Sequence, residues 1–440
     1  MSDAAAKPRD VLPRPPIHRL TARARRFLEV ESSSGLMLAA CTAVALVLAN
    51  SAWAKPVHDF WEIHLRVGVG RFTLDESLHF WVNDALMTLF FFVVGMEIKR
   101  ELAGGELSTA RKAALPVVAA VGGMAVPAGV YLALQAGTPG VRGWGVPMAT
   151  DIAFVVGVLA VLGRRVPFGL KIFLLSLAIV DDIGAILVIA VAYSGGTDPA
   201  ALAAAAGGLG LCYLLSRLGV RAIGVYALIG AGVWLATLKS GVHPTIAGVA
   251  LGLITPSAAW VGPAALTHTL SSALGRAQSR GGADRDDLEH LEFAVREASS
   301  PLERLEHGLH PWVGFVIMPL FALANAGVAV GAAGPRNPVA IAVILGLVVG
   351  KPVGILGFSF LAVRLRLAEL PAGVNWAAMA GAGCLGGIGF TMSLFVADLA
   401  FADPALLDAA KVGILVGSAV SGVLGTILLL VGLRPPRDPG

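Results

Sequence analysis

The sequence predicts an all-α polytopic membrane protein of about twelve transmembrane helices, with one small outward β-hairpin. Three observations carry that prediction. Hydrophobic residues make up 56% of the chain and charged residues only 14%, with a mean hydropathy of +0.78; this balance excludes soluble globular and disordered classes. Apolar runs recur along the chain, most of them close to the ~20 residues that a bilayer crossing needs. Deep inside those runs lie four charges, Asp151, Asp181, Asp182 and Lys351, which a lipid-facing helix does not keep without a use for them.

Taken in order, residues 1–30 are polar, contain proline and are rich in arginine, the composition of a basic disordered tail. The apolar spans that follow cover approximately 32–50, 78–97, 113–135, 146–162, 168–193, 199–217, 221–238, 242–257, 309–330, 338–362, 374–398 and 411–433. The fourth and eighth are short. Residues 31–433 therefore form one membrane domain, closed by a C-terminal tail, 434–440. Leu36–Ala49 followed by Ser51–Ala54 has the form of a signal-peptide core and cleavage site. The polar region ahead of it is too long for that role, and a retained first helix is expected.

Between the first two spans, residues 61–74 change character. Trp61, Ile63, Leu65, Val67 and Val69 alternate with smaller or polar residues, the period-two pattern of a strand. The Gly68–Gly70 region supplies a turn or bulge, and an exposed strand edge invites pairing with a second copy. The longest hydrophilic interval between spans is 258–308. At its centre, Asp284–Ser300 places Leu288, Leu291 and Val295 at helical spacing, which predicts an amphipathic surface helix.

Basic residues orient the chain. With a cytoplasmic N-terminus, 25 of the 33 Lys and Arg fall in cytoplasmic segments and 7 in outward ones, Lys351 lying within the membrane. That asymmetry puts both termini in the cytoplasm. Cys41, Cys212 and Cys384 all fall in apolar segments and are expected to be small buried hydrophobes, not disulfide partners.

The four membrane-depth charges carry the chemistry. A central Asp or Lys costs roughly 2.5 to 3.5 kcal/mol on insertion scales. Together the four cost on the order of 10–14 kcal/mol if unpaired, comparable to a whole protein's stability of about 5–15 kcal/mol. Three carboxylates against one ammonium leave a formal surplus of negative charge, which protons or a monovalent cation must neutralise. Competition between the two at a site exposed alternately to each side is sufficient for antiport. Neighbouring residues on a helix point about 100° apart, so one aspartate can face an ion while the other meets Lys351. Sodium, a hard cation, prefers carboxylate, hydroxyl and freed carbonyl oxygens. Such carbonyls need a broken helix. The fourth span carries Pro147, Thr150 and Asp151, and the eleventh carries Gly383–Ser393 with its glycines; interrupted segments in each half of a chain point to a transporter site.

The strings WVNDALMTLFFFVVGMEIKREL (81–102), MATDIAF (148–154), AIVDDIGAI (178–186), GVHPTIAGV (241–249), RLEHGLHPW (304–312), GKPVGI (350–355) and GGIGFTMSLF (386–395) resemble the NhaA-type sodium/proton antiporters over nearly all of the chain beyond the tail. That resemblance implies two inverted repeats with crossed, broken helices four and eleven. It implies a central cation and proton site at Asp182 and Asp181, the residues that would ligate a transported Na+. Thr150 and Asp151 would complete or tune the site, and Lys351 would pair with Asp181. It also implies a pH response near the cytoplasmic mouth, at Glu97, Arg100, Glu101, Glu306 and His307, while His243 and Asp84 match positions linked to pH dependence and transport. The family's activity implies electrogenic exchange of cytoplasmic Na+ or Li+ for external H+ in a bacterial inner membrane. It implies no cofactor, no nucleic-acid partner, and a homodimer through residues 61–74. At Glu303 the chain departs from the pattern of the family's best-known member, which has lysine there, and the preceding loop is longer.

Two rival classes are weaker. An intramembrane aspartyl protease also uses two membrane aspartates that share a proton, but its GxGD context is absent here and Lys351 has no part in that reaction. A passive cation channel also uses broken helices, yet a site whose charge a proton or cation must balance suits coupled exchange better. No phosphate-binding loop is evident for an ATP-driven pump.

Overall fold

Helix starts in this protein follow a repeated recipe: a short polar side chain caps the first turn and proline often occupies its first position. Asp198, Asn337 and Asp403 each accept a backbone N–H two residues on and are each followed by proline, which lacks the N–H that a first turn cannot use. The computed structural model describes residues 31–69, 72–196, 198–282, 284–329 and 337–433. The expected tails, 1–30 and 434–440, and a turn at Gly70 lie outside the described residues.

The chain opens with α1 (Glu31–Ala49), which bends by 116° into α2 (Ala54–Trp61). Strands β1 (His64–Val69) and β2 (Phe72–Ser77) pair antiparallel, His64 opposite Ser77 and Val69 opposite Phe72. Arg66 Nε donates to Asp75 Oδ2 across the pair at 2.6 Å. Trp61, expected in the strand, instead ends α2; its ring packs edge-on against Phe60, so the alternation begins three residues later.

Then follow α3 (Leu78–Gly104), α4 (Ala110–Gln135) and the segment Pro139–Leu162, in which a 3-10 stretch, Pro139–Met148, precedes α5 (Ile152–Leu162). Next come α6 (Phe168–Ala192), α7 (Pro199–Arg217), α8 (Ile223–Lys239) and α9 (Thr245–Ile254). Beyond the hydrophilic pair α10 (Pro263–Arg280) and α11 (Arg285–Glu297) lie α12 (Pro301–Asn325) and α13 (Pro338–Arg364). The last three are α14 (Trp376–Gly386), α15 (Phe390–Ala400) and α16 (Pro404–Gly432).

By length and composition, eight described helices can cross a membrane, and up to ten if each bent pair, α1 with α2 and α14 with α15, is one span. The two ranges expected as the seventh and eighth spans fall on α8 and α9, which are apolar but only 17 and 10 residues long. The helices pack closely through small residues. Where α4 meets α13, a Cβ on Gly354 would stand 2.1 Å from the carbonyl oxygen of Gly122, a contact that only glycine allows.

Helix α11 forms where the spacing predicted it, but of its three apolar positions only Leu291 is partly buried. Leu288 and Val295 are exposed, whereas Asp287, Ala294 and Glu297 are buried. Arginines turn this face inward: Arg276 Nε donates to Asp287 Oδ1 at 2.8 Å, and three further arginines surround Glu297. Glu303, the departure from the family pattern, completes a capping box with Ser300 at the start of α12. The cysteines are free, Cys212 and Cys384 buried and Cys41 half-buried.

Candidate cation and proton site

The site is built where two interrupted segments meet. Extended backbone at Ala149 separates the Pro139–Met148 stretch from α5, and α14 breaks from α15 with a 42° bend. The breaks touch directly: Asp151 N–H donates to the Ile388 carbonyl at 2.6 Å. Close approach is required here, since a Cβ on Gly389 would stand 3.0 Å from the Ala149 oxygen and 2.2 Å from Ser393 Oγ.

Each half-helix end then finds a partner of the sign its dipole favours. Asp151 Oδ1 accepts from Ala153 N at 3.1 Å and Phe154 N at 3.3 Å, capping α5. Its other oxygen accepts from Thr391 N at 3.0 Å and from the Thr391 hydroxyl, in the first turn of α15. One carboxylate therefore serves two helix N-termini. At the opposite, carbonyl-bearing ends, Lys351 Nζ donates to Met148 O and Thr150 Oγ1 lies 2.9 Å from Gly386 O.

The α6 aspartates divide their roles. Asp181 Oδ2 accepts from Lys351 Nζ at 2.6 Å and from Thr150 Oγ1 at 2.6 Å. Both side chains of the Lys351–Asp181 pair are fully buried. Asp182, 4% exposed, makes no hydrogen bond among the described residues, and Oδ1 of each aspartate is buried without a partner among them. A negative charge on Asp182 is repelled by Glu97, Asp181 and Asp151 and attracted by Lys351. Unpaired oxygens in a field with surplus negative charge can take a proton or a hard monocation. The two carboxylates supply only part of an ion's shell. Among the described residues no group of three or more His, Cys, Asp or Glu is arranged around a metal, so hydroxyls, carbonyls or water must complete it.

The structure separates the other expected residues into two places. Arg100 contacts Glu306 across 206 residues of sequence, and Glu101 Oε2 accepts from Glu106 N at 2.9 Å. Glu97 lies on the same helix, half-buried, while His307 is exposed. His243 is remote from that group. Its Nε2 lies 3.5 Å from Asp84 Oδ1 and its Nδ1 2.7 Å from Thr245 Oγ1.

Sequence reasoning passed over Thr391 and Ser418. Thr391 ties α15 to Asp151, and Ser418 Oγ accepts from Gly389 N and Phe390 N, each at 3.2 Å. The available signal for Thr391 was a hydroxyl two residues past the last glycine of GGIGFT, where a first-turn donor is free.

One family model and three curated relatives match this chain. The family model described as Na+/H+ antiporter 1 matches residues 25–429. A curated Na(+)/H(+) antiporter NhaA of Rhodopirellula baltica is 51% identical over 429 residues, 97% of this chain and 97% of the relative. The protein of that name from Rhizobium meliloti is 50% identical over 432 residues, 97% and 98% of the two chains. Na(+)/H(+) antiporter NhaA 1 of Acidiphilium cryptum is 51% identical over 443 residues, 100% and 98% of the two chains.

Proposed function

The chain belongs to the Na+/H+ antiporter family and is a multi-pass bacterial membrane transporter, not an enzyme, and from that premise we propose how it works. It exchanges cytoplasmic Na+ or Li+ for external H+, with protons and the cation competing for Asp182 and Asp181 at a site opened to one side at a time. The single observation that carries this reading is the asymmetry of the aspartate pair. Asp181 is held by Lys351 and Thr150, while Asp182 is buried without a hydrogen bond. Binding a cation at Asp182 draws it toward Asp181 and weakens the hold of Lys351. Protonating Asp182 releases the cation, and Asp181, still ionised, returns to Lys351.

Asp151 acts in this scheme by stabilising two positive helix ends beside the ion, and Thr150 offers a hydroxyl oxygen on the same side. The Arg100–Glu306 contact with Glu97 and Glu101, and the His243–Asp84 pair, are the places where pH sets activity. Twelve spans arranged as two inverted repeats, with crossed breaks in the fourth and eleventh, place the site at mid-membrane. The inner membrane with both termini cytoplasmic follows from the basic residues. Exchange is electrogenic, and the β1–β2 hairpin joins two copies into a homodimer.

The test is sodium-induced proton movement in inside-out vesicles carrying a pH-sensitive dye, for wild type and Asp182→Asn, with lithium and potassium alongside and the medium pH varied. Sodium should dissipate the proton gradient in wild type, and the variant should lose at least a hundredfold in rate. Equal responses of the two proteins, or none to any cation across the pH range, would sink the antiport reading.

A further inference from the structure

One buried polar cluster takes no part in the ion chemistry above. At the end of the bundle that carries the hairpin, Asn83 of α3 and Asn325 of α12 exchange side-chain hydrogen bonds, Asn83 Nδ2 to Asn325 Oδ1 at 3.1 Å and Asn325 Nδ2 to Asn83 Oδ1 at 2.7 Å. His79 Nε2 lies 3.1 Å from the same Asn325 oxygen. Asn83 Nδ2 also donates to Asp398 Oδ2 at 3.0 Å. Asn83 and Asn325 are 4% and 0% exposed, so these bonds are formed out of water, where a lost partner is costly.

The two sides of this cluster are held very differently. Helices α3 and α12 are tied by a reciprocal amide pair. Helix α15, whose first turn grips Asp151, is joined to them here by one carboxylate. One turn earlier on α15, Phe395 packs against Phe91 of α3 at 5.4 Å, Phe321 of α12 at 6.2 Å and the His243 ring at 5.4 Å. That apolar plug cannot part unless α15 moves from α3 and α12, and the Asp398–Asn83 bond stands directly on that boundary.

A second observation indicates where Asp398 goes. Lys411 of α16 is 8% exposed and makes no hydrogen bond or ion pair among the described residues. The carboxylates whose charge it feels are Asp398 and Asp408. A buried ammonium without a partner is destabilising, and it is kept most readily when another arrangement supplies the partner. We propose that Asp398 is a two-position latch. Held by the Asn83 amide, it ties α15 to the α3–α12 pair and keeps the hairpin end shut. Released, it moves to Lys411 as that end opens. The latch rests on the antiport reading, since a gate is needed only if the site is exposed to each side in turn.

The test uses the full-length protein in proteoliposomes, in a Cys41→Ser, Cys212→Ser, Cys384→Ser background. Two cysteine pairs are cross-linked with a short bifunctional methanethiosulfonate: Asn83→Cys with Asp398→Cys, and Asn83→Cys with Asn325→Cys. Linking 83 to 398 should slow sodium–proton exchange at least tenfold, with recovery on reduction, whereas linking 83 to 325 should leave the rate within twofold. Exchange that survives the first link, or arrest by both, overturns the latch. A companion measurement needs no turnover. Spin labels at Glu76 and Ala402 report the separation across the boundary; Asn83→Ala should raise the share of the longer distance and Lys411→Gln should lower it. An unchanged distribution in both variants overturns the latch. If unlinked protein fails to exchange ions at all, the antiport reading falls, and the spin-label distances still decide the latch.

Discussion

At membrane depth, three carboxylates face one ammonium; at the α11–α12 junction, one carboxylate, Glu297, faces three guanidiniums. Glu297 is 1% exposed, touches Arg221, and lies 3.5 Å from Arg296 Nε and 3.6 Å from Arg304 Nη1. Its carbonyl oxygen accepts from Trp260 N and Val261 N, both at 3.0 Å, and the Arg221 guanidinium sits 5.0 Å above the Trp260 ring. The two clusters are buried alike and contain opposite surpluses. At Glu297 the surplus sits on arginines that reach water, Arg296 being 59% exposed, so solvent disposes of it and the cluster clamps three segments together. Around Asp182 the side chains that share the surplus, Asp151, Asp181 and Lys351, are each at most 1% exposed, so solvent disposes of little of it. Buried charge therefore marks a transport site only where the fixed partners fall short and solvent is shut out.

The comparison can be broken first at Lys351. Removing one partner of a buried pair costs about 3–5 kcal/mol, while replacing both is close to neutral. Lys351→Met should lower the melting temperature strongly in detergent, and adding Asp181→Asn should restore most of it without restoring exchange. A single variant as stable as wild type would mean that Asp181 is already protonated and owes Lys351 little.

Glu297→Gln comes next. It leaves Arg221 and Arg304 facing each other without the carboxylate, a loss of about 1–3 kcal/mol, the cost of leaving buried polar groups without a partner. Thermal melting should fall while the apparent affinity for sodium stays within twofold. A tenfold change in affinity would place this clamp in the transport machinery and erase the distinction drawn above.

The smallest effect belongs to Asp287, whose carboxyl is held below the usual carboxylate range by the Arg276 hydrogen bond. A lowered folded-state value stabilises above the unfolded value of about 3.9, and that contribution is lost as pH falls through the folded value. Asp287→Asn should therefore lower the melting temperature slightly near neutrality and leave it nearly unchanged at low pH, flattening the acid side of the profile. A larger drop at pH 7 than at pH 3 would fit; the reverse order would show that Arg276 is not the partner that matters.

Much of the site was legible because lipid makes charge conspicuous. Asp151, Asp181, Asp182 and Lys351 stand out in runs whose other side chains, Lys171 apart, are apolar or small, and the structure brings Asp151, Asp181 and Lys351 to the meeting of two breaks, with Asp182 next to Asp181. Pro147 and the glycines after Gly383 announced those breaks. Thr391 did not announce itself, because a hydroxyl in an apolar helix usually bonds its own backbone. Asp398 and Lys411 drew no notice in the sequence, since a charge near a span end reads as interfacial; the packing leaves Asp398 half-buried and Lys411 buried. Helix α11 shows the converse: its apolar spacing was real, yet arginines from other segments decided which face turned inward.

By itself, then, the sequence determined the class of protein, the approximate course of its apolar helices, and which charges are buried among them, since all three follow from hydropathy and the cost of charge in lipid. The tertiary structure decided that Asp181 and not Asp182 meets Lys351, that Asp151 caps two helices at once, and that Asn83 reaches Asp398. Those are contacts between residues up to 315 positions apart, and no local pattern encodes them; they exist only once the broken segments are packed against each other.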